Sequence, residues 1–421
     1  MNYKKYRMNN YDLHMIYSKR FKTIEIVVNL RFLGDKYSEV YVPLICKLLL
    51  NTTSKYDSIL ETNKACAKVY DPMYSIRPFG SGKEMVISLK TNFVNEKYTE
   101  IGMNEKSIDF VLPFLFEPKI VDGGFDKEIF EVEKEKLINN YMSIKDYPSD
   151  YADAMNDYYL DKKGYNGFSV DEAARFMRKI TREDLYDYYL KILENSKLDV
   201  FVCGDFDFKA MKKIFEKRII FNGVRKGKIN HFIKQTCYRK IPKVVKERTN
   251  NVQSNLVIGC KVTAMTKFER EYVFPIYSWI LGGSINSLLG RTVREENSLC
   301  YYIYASSDRL CSTLKIYSGI NLDDYDKVMK FIDLEMGNIK TGKFSSSLID
   351  NVKKLYCNSL DGLEDSQTDF LNNYISQTFL KIDDFKLREK FIKKVTKDDI
   401  MKFAHKIHVD TVFLLEGDAH E

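Results

Sequence analysis

Ile180-Thr-Arg-Glu-Asp-Leu185 opens a stretch that closes on Asp199-Val-Phe-Val-Cys-Gly-Asp205. Val395-Thr-Lys-Asp-Asp-Ile400 opens another that closes on Asp410-Thr-Val-Phe-Leu-Leu-Glu-Gly-Asp418. In each, a threonine stands at an N-cap position with acids in the first turn behind it. A tyrosine- or lysine-rich amphipathic run follows, then an apolar strand ending in Gly-Asp. Thr181 and Thr396 are 215 residues apart, and Asp205 and Asp418 are 213 apart. A second pair keeps nearly the same offset. Phe125–Leu160 reads as a long charged helix broken near residues 146–150, and Phe344–Phe379 matches it 219 residues on, with its break at 365–369. Four elements in one order at nearly one spacing point to a duplicated architecture.

Outward from these anchors, Ile24–Phe32 reads as a strand, Val40–Leu50 as a buried helix and Ser58–Tyr70 as another helix. Met73–Phe79 and Lys83–Phe93 flank Gly80-Ser-Gly82 as a hairpin. Ser107–Phe116, Lys127–Ile144 and Asp150–Leu160 read as helices. In the second half, strand Ser254–Thr263 leads into helix Lys267–Leu281. After Gly282-Gly283 a helix runs to about Glu296, and strands cover Cys300–Ser306 and Ser312–Ile320. Helices in runs between antiparallel strands predict an α+β fold of two homologous halves, each an antiparallel sheet packed with helices. The division expected is 1–221, a basic linker over 222–248, and 249–421.

The 421 residues carry 66 basic and 59 acidic side chains, a net charge of +7, too small for a nucleic-acid footprint. The first twenty residues are charged throughout, unlike a signal peptide, and Lys47 interrupts the richest apolar run, Val40–Leu50. The 8 cysteines are scattered without a CxxC pair, so they read as reduced thiols of a cytoplasmic protein. Gly80-Ser-Gly-Lys83 is too short for a phosphate loop and is followed by a strand. His405 and His408 would share a helix face, but no carboxylate stands in ligand pattern nearby, and a helix C-terminus explains them more simply. No Gly-x-Ser-x-Gly elbow occurs.

Gly282-Gly-Ser-Ile-Asn-Ser-Leu-Leu-Gly-Arg-Thr-Val-Arg-Glu-Glu-Asn-Ser-Leu-Cys-Tyr-Tyr302 resembles the C-terminal signature of the pitrilysin, insulinase and mitochondrial-processing-peptidase superfamily. Lys243-Val-Val-Lys-Glu247, Val252-Gln253 and Leu256-Val-Ile-Gly259 resemble the strands opening that family's second half. The likeness covers nearly the whole chain and is strongest to the short bacterial branch. Within it, the chain is most similar to partner subunits lacking the zinc motif, including the homologue associated with modification of elongation factor P. The resemblance implies a clamshell half of the processing-peptidase type.

That family binds zinc through H-x-x-E-H and a later glutamate, with the internal glutamate activating water. Here the motif positions fall on Pro43, Cys46 and Lys47, and no H-x-x-E-H occurs anywhere. Glu133 stands where the later ligand would be. The resemblance therefore implies a chain that binds no metal or other cofactor itself, with zinc in a partner subunit. Arg294 and Tyr301 keep the family's seven-residue spacing, which implies substrate binding and oxyanion stabilisation in trans. Tyr302 is the rival, because adjacent strand residues face opposite ways. The expected partners are a homologous H-x-x-E-H subunit and a peptide substrate, with neither nucleic acid nor membrane. A catalytically inactive peptide-binding or structural homologue is the alternative.

Overall fold

The computed structural model describes residues 2–162, 167–223 and 231–417. The chain forms two compact units. The first holds Met1–Tyr141, Asp171–Asn230 and Glu364–Ser376, and the second holds Met142–Val170, His231–Leu363 and Gln377–Glu421. These units are not the two sequence halves, because each takes a helix from the other half.

The first unit is built on β1 (Asn2–Arg7), β2 (Tyr11–Tyr17), β3 (Thr23–Leu33), β4 (Met73–Ser81), β5 (Glu84–Val94), the short hairpin β6 (Ile120–Val121) and β7 (Gly124–Phe125), and β8 (Lys197–Gly204). Its main sheet has the order β1-β2-β8-β3-β5-β4. The second unit carries β9 (Lys243–Thr249), β10 (Ser254–Val262), β11 (Cys300–Asp308), β12 (Thr313–Ile320) and β13 (Ile407–Gly417), in the order β11-β12-β10-β13-β9. Reversed, that order repeats β2-β8-β3-β5-β4 strand for strand. Even the one parallel pair recurs: β2 with β8, and β13 with β9. The expectation of a purely antiparallel sheet is corrected by that pair, which the long helical crossovers make possible.

The capping reading holds in detail. Thr181 and Thr396 each form a full capping box, with Asp184 and Asp399. β1 and β2 have no counterpart in the sequence-based expectations. Their charged residues, including buried Asp12 and His14, hide the apolar alternation that marks a strand. The end of the expected linker is an edge strand, β9, while residues 224–230 and Asp418 lie outside the described residues. The helix expected over Lys267–Leu281 is a π-helical turn, Glu269–Val273, continuing as an α-helix over Phe274–Gly282. Pro275 lacks the N–H that an uninterrupted α-helical ladder needs there.

Each sheet has one strongly apolar face. Ile24, Ile26, Val28, Leu30 and Phe32 line it in β3, and Leu256, Ile258, Cys260 and Val262 line it in β10. The opposite faces receive the exchanged helices. Pro148–Leu160 lies on the second sheet, with Ala152 and Met155 against Val257, Phe413 and Leu415. Its Asn156 donates through Nδ2 to the carbonyls of Val257 (3.0 Å) and Thr411 (3.5 Å). Gln367, opening the helix Gln367–Leu380, likewise donates through Nε2 to the carbonyls of Thr23 and Cys203, both at 3.0 Å. In both units one carboxamide clips two neighbouring strands. Among the described residues no helix is long and apolar enough to cross a membrane.

Candidate functional site

The helix Ser38–Leu49 carries the zinc-motif positions. Leu44, Ile45 and Cys46 point into the core, and Cys46 is only 2% exposed. Burial pushes its thiol well above the usual range, so it stays protonated and inert. Pro43 sits half-buried inside the helix and Lys47 is exposed on its surface. Glu133, on the helix Lys127–Ser143, is buried, and its Oε1 accepts from Lys136 Nζ at 2.8 Å. A proline ring is no metal ligand, a thiol kept protonated by burial is a poor one, lysine is not among zinc's usual ligands, and one carboxylate does not hold zinc. These residues do not fit the metal that the fold family uses.

Asp12, His14 and Asp199 form a buried cluster whose ligand-type atoms lie within 4.8 Å of one another. It is balanced by cations instead. Lys5 reaches Asp12 at 2.9 Å, and Arg31 donates to Asp199 Oδ2 from Nε (3.0 Å) and Nη2 (2.8 Å). The polar contacts run across five strands in sheet order. Tyr3 Oη is 2.8 Å from His14 Nδ1, His14 Nε2 is 3.4 Å from Asp199, and Arg31 Nη1 donates to Glu84 at 3.2 Å. Burial opposes ionisation of Asp199, but His14, Arg31 and Lys197 outweigh it and hold the carboxyl at about 2. The network ties the sheet together and left no local signature to read, because its members are far apart in the chain.

His405 and His408 do not share a helix face. The helix Lys397–Ala404 ends before them, and His408 lies in β13, stacked on Tyr238 at 3.6 Å.

Arg294 and Tyr301 sit on one corner of the second unit. Arg294 lies in the π-helical segment Gly290–Glu296. Ser298, at φ +52°, closes that segment: its N–H donates to the Arg294 carbonyl and the Leu299 N–H to the Val293 carbonyl, both at 3.0 Å. The Ser298 bond is that of the left-handed C-cap motif, with serine in the position that glycine usually takes, and the Leu299 bond reaches one residue further back than a Schellman bond would. β11 then begins with a bulge. Cys300 pairs with Ile320 and Tyr302 with Gly319, leaving Tyr301 as the extra residue. Tyr301 is 60% exposed, and its hydroxyl donates to Asn321 Oδ1 at 3.3 Å. The Arg294 side chain is 47% exposed and lies 3.6 Å from Glu295. Among the described residues no hydrogen bond joins Arg294 to Tyr301.

Tyr302 turns the other way. Its hydroxyl donates to Asn255 Oδ1 at 2.8 Å, and its ring occupies the space that a side chain at Gly319 would fill. Burial, with Tyr304 and Asp150 adding to it, pushes the phenol up to about 12. Simple alternation separated the two tyrosines, and the bulge sets which of them is presented. Gly282, whose added Cβ would meet the Ala305 backbone at 2.6 Å, lets the preceding helix press against β11 and fixes the corner from behind.

A family description, Peptidase M16 inactive domain, matches residues 179–356, spanning the first capping-and-strand element and the whole Arg294–Tyr302 corner. The chain is similar to the M16 peptidase family and lacks that family's zinc motif. The chain is 24% identical over 415 residues to the probable inactive metalloprotease YmfF of Bacillus subtilis, covering 96% of this chain and 95% of that one. It is 25% identical over 240 residues to the uncharacterized zinc protease YmxG of the same organism, covering 55% and 56%. The fold matches a conserved protein from Enterococcus faecalis V583 with TM-score 0.92 at 22% identity over 100% of both chains. It also matches a peptidase M16 inactive domain from Pseudomonas fluorescens with TM-score 0.79 at 14% identity, covering 99% and 98%. Three features of the Arg294–Tyr302 corner escaped the sequence reading: the left-handed Ser298, the bulge, and Asn321 as the tyrosine's acceptor.

Proposed function

We propose that this chain is the non-zinc subunit of a two-chain peptidase. It would supply Arg294 and Tyr301 to a homologous partner that carries H-x-x-E-H and the metal. One contrast carries this reading. The three zinc-motif positions hold neither imidazole nor carboxylate, while Arg294 and Tyr301 remain exposed on a corner shaped by a left-handed serine and a bulge. A donor pair kept on the surface suits a peptide carbonyl arriving from outside. Tyr301 would release its long bond to Asn321 and donate to the oxygen on which charge develops. Arg294 would hold a neighbouring carbonyl through its planar donors.

The test is co-expression with an H-x-x-E-H homologue from the same genome, then gel filtration and steady-state cleavage of a peptide library. Tyr301→Phe should leave assembly intact and lower kcat by about 10²–10³-fold, the usual loss for one oxyanion donor. Arg294→Ala should raise KM as well. Full activity in both variants would leave only the alternative, a peptide-binding homologue without a catalytic role. Elemental analysis of the metal-replete chain should find no stoichiometric zinc. One zinc per chain, lost on Cys46→Ser or Glu133→Gln, would overturn the reading.

A further inference from the structure

A cavity of about 490 Å³ opens on the first unit. It lies between the first turns of the helices Met103–Phe116 and Phe208–Arg218 and the loop over 95–102. Its volume falls in the usual range of small-molecule sites.

The polar groups of its wall divide unequally. All four lining acids are committed. Glu96 Oε2 accepts the N–H groups of Gly102 (3.0 Å) and Asn104 (3.4 Å), capping one helix. Asp207 Oδ1 accepts those of Lys209 (2.9 Å) and Ala210 (2.8 Å), capping the other. Asp205 takes Lys97 at 2.5 Å, and Glu105 takes Arg218 at 2.9 Å. The positive ends of two helices and two cations thus offset the four carboxylates. Lys213 and Lys217 also line the cavity, one turn apart on the same helix face. Neither has a carboxylate partner among the described residues, whereas their neighbour Lys212 pairs with Glu216 at 2.9 Å. Beside them the wall is apolar: Phe206, Met211, Ile214 and Ile101, the last 96% exposed. An isoleucine held fully in water at the rim of a cavity gains most from a ligand that covers it.

We propose that this cavity binds a carboxylate carried on an apolar chain, with the carboxylate between Lys213 and Lys217 and the chain along Ile101, Met211 and Ile214. A medium-chain fatty acid and the carboxyl end of a short apolar peptide share that chemistry. The site is independent of the corner at Arg294 and of any peptidase partner.

The probes are decanoate, below its micellar concentration, and acetyl-Ala-Val-Leu. Each is compared with its amide, and binding is followed by methyl NMR of isoleucine- and methionine-labelled chain. Decanoate should shift the Ile101, Met211 and Ile214 methyl signals saturably, and decanamide should bind about tenfold more weakly or worse. Saturation by the tripeptide acid at lower concentration than decanoate identifies a peptide terminus as the ligand, and the reverse order identifies a fatty acid. Lys213→Gln with Lys217→Gln should erase the acid–amide difference, and Ile101→Ser should weaken both forms alike. Both lysines are exposed, so the variant should keep the parent's circular dichroism. Equal binding of acid and amide by the unmodified chain, undiminished acid binding in the double variant, or no saturable shift would overturn the proposal.

Discussion

At residues 43, 46 and 47 the first unit holds a half-buried proline, a core thiol and a solvated lysine. At residues 294 and 301 the second unit holds an arginine and a tyrosine exposed to solvent. The underlying frames are the same, strand for strand. The difference lies in where each frame spends its polar side chains. In the first sheet four of them, His14, Asp199, Arg31 and Glu84, are sealed inside one chain of contacts that reaches the surface at Tyr3. In the second sheet the matching aspartate, Asp410, is also buried, but it is met by Arg239, whose side chain is 39% exposed, and by Lys261 at 3.6 Å. Sealed networks hold a fold together, whereas half-open ones leave groups available.

That comparison can be broken most decisively at the two aspartates. Asp199→Asn strips the charge from a buried pair and should cost about 3–5 kcal/mol of unfolding free energy. Asp410→Asn should cost less, about 1–3 kcal/mol, because Arg239 can rehydrate. Urea unfolding followed by circular dichroism checks this, with fluorescence of the single tryptophan, Trp279, reporting on the second unit. Equal losses would erase the distinction drawn between the sheets.

The tyrosine pair sharpens the contrast within the second unit. Tyr302→Phe removes a part-buried bond to Asn255 and should lower stability by about 1 kcal/mol. Tyr301→Phe should change stability by less than about 0.5 kcal/mol, since its phenol is exposed. Thermal midpoints of the two variants decide it, and the reverse order would put the wrong tyrosine on the surface.

Acid titration should separate the units by sign. Asp199, held at about 2 when folded, contributes stability that is complete above the unfolded carboxyl pKa and is lost as the pH falls from about 4 towards 2. Asp157, on the exchanged helix, behaves oppositely. Burial raises its carboxyl to about 6, against the pull of Lys315, which contacts it at 2.6 Å, and with the neighbouring Asp153 adding to the rise. The folded state therefore holds the extra proton, and this group's contribution to stability falls as the pH rises from about 4 to 6. Asp157→Asn should flatten the second unit's profile between those values and leave the first unit's acid limb unchanged. A profile that keeps its slope in the variant would show that another group titrates there.

The duplicated order of elements could be read from residues, because caps, Gly-Asp strand ends and apolar runs are local and survive divergence. Helix boundaries such as Ser38–Leu49 and the β4–β5 hairpin came from the same local physics. So did the loss of zinc ligands, which needs only residue identity. The spacing of Arg294 and Tyr301 was legible too, but not their presentation. That depends on a left-handed serine, held by the carbonyls of the preceding turn, and on an inserted strand residue, fixed by pairing with residues about twenty positions on.

Three things were decided only in the tertiary structure: the exchange of the helices Pro148–Leu160 and Gln367–Leu380 between units, the burial of four linked polar side chains across one sheet, and the convergence of Lys213, Lys217 and Ile101 on a cavity. Each rests on contacts between residues far apart in the chain. An amphipathic helix states in its sequence that it needs an apolar surface, but not which of two similar sheets will provide it.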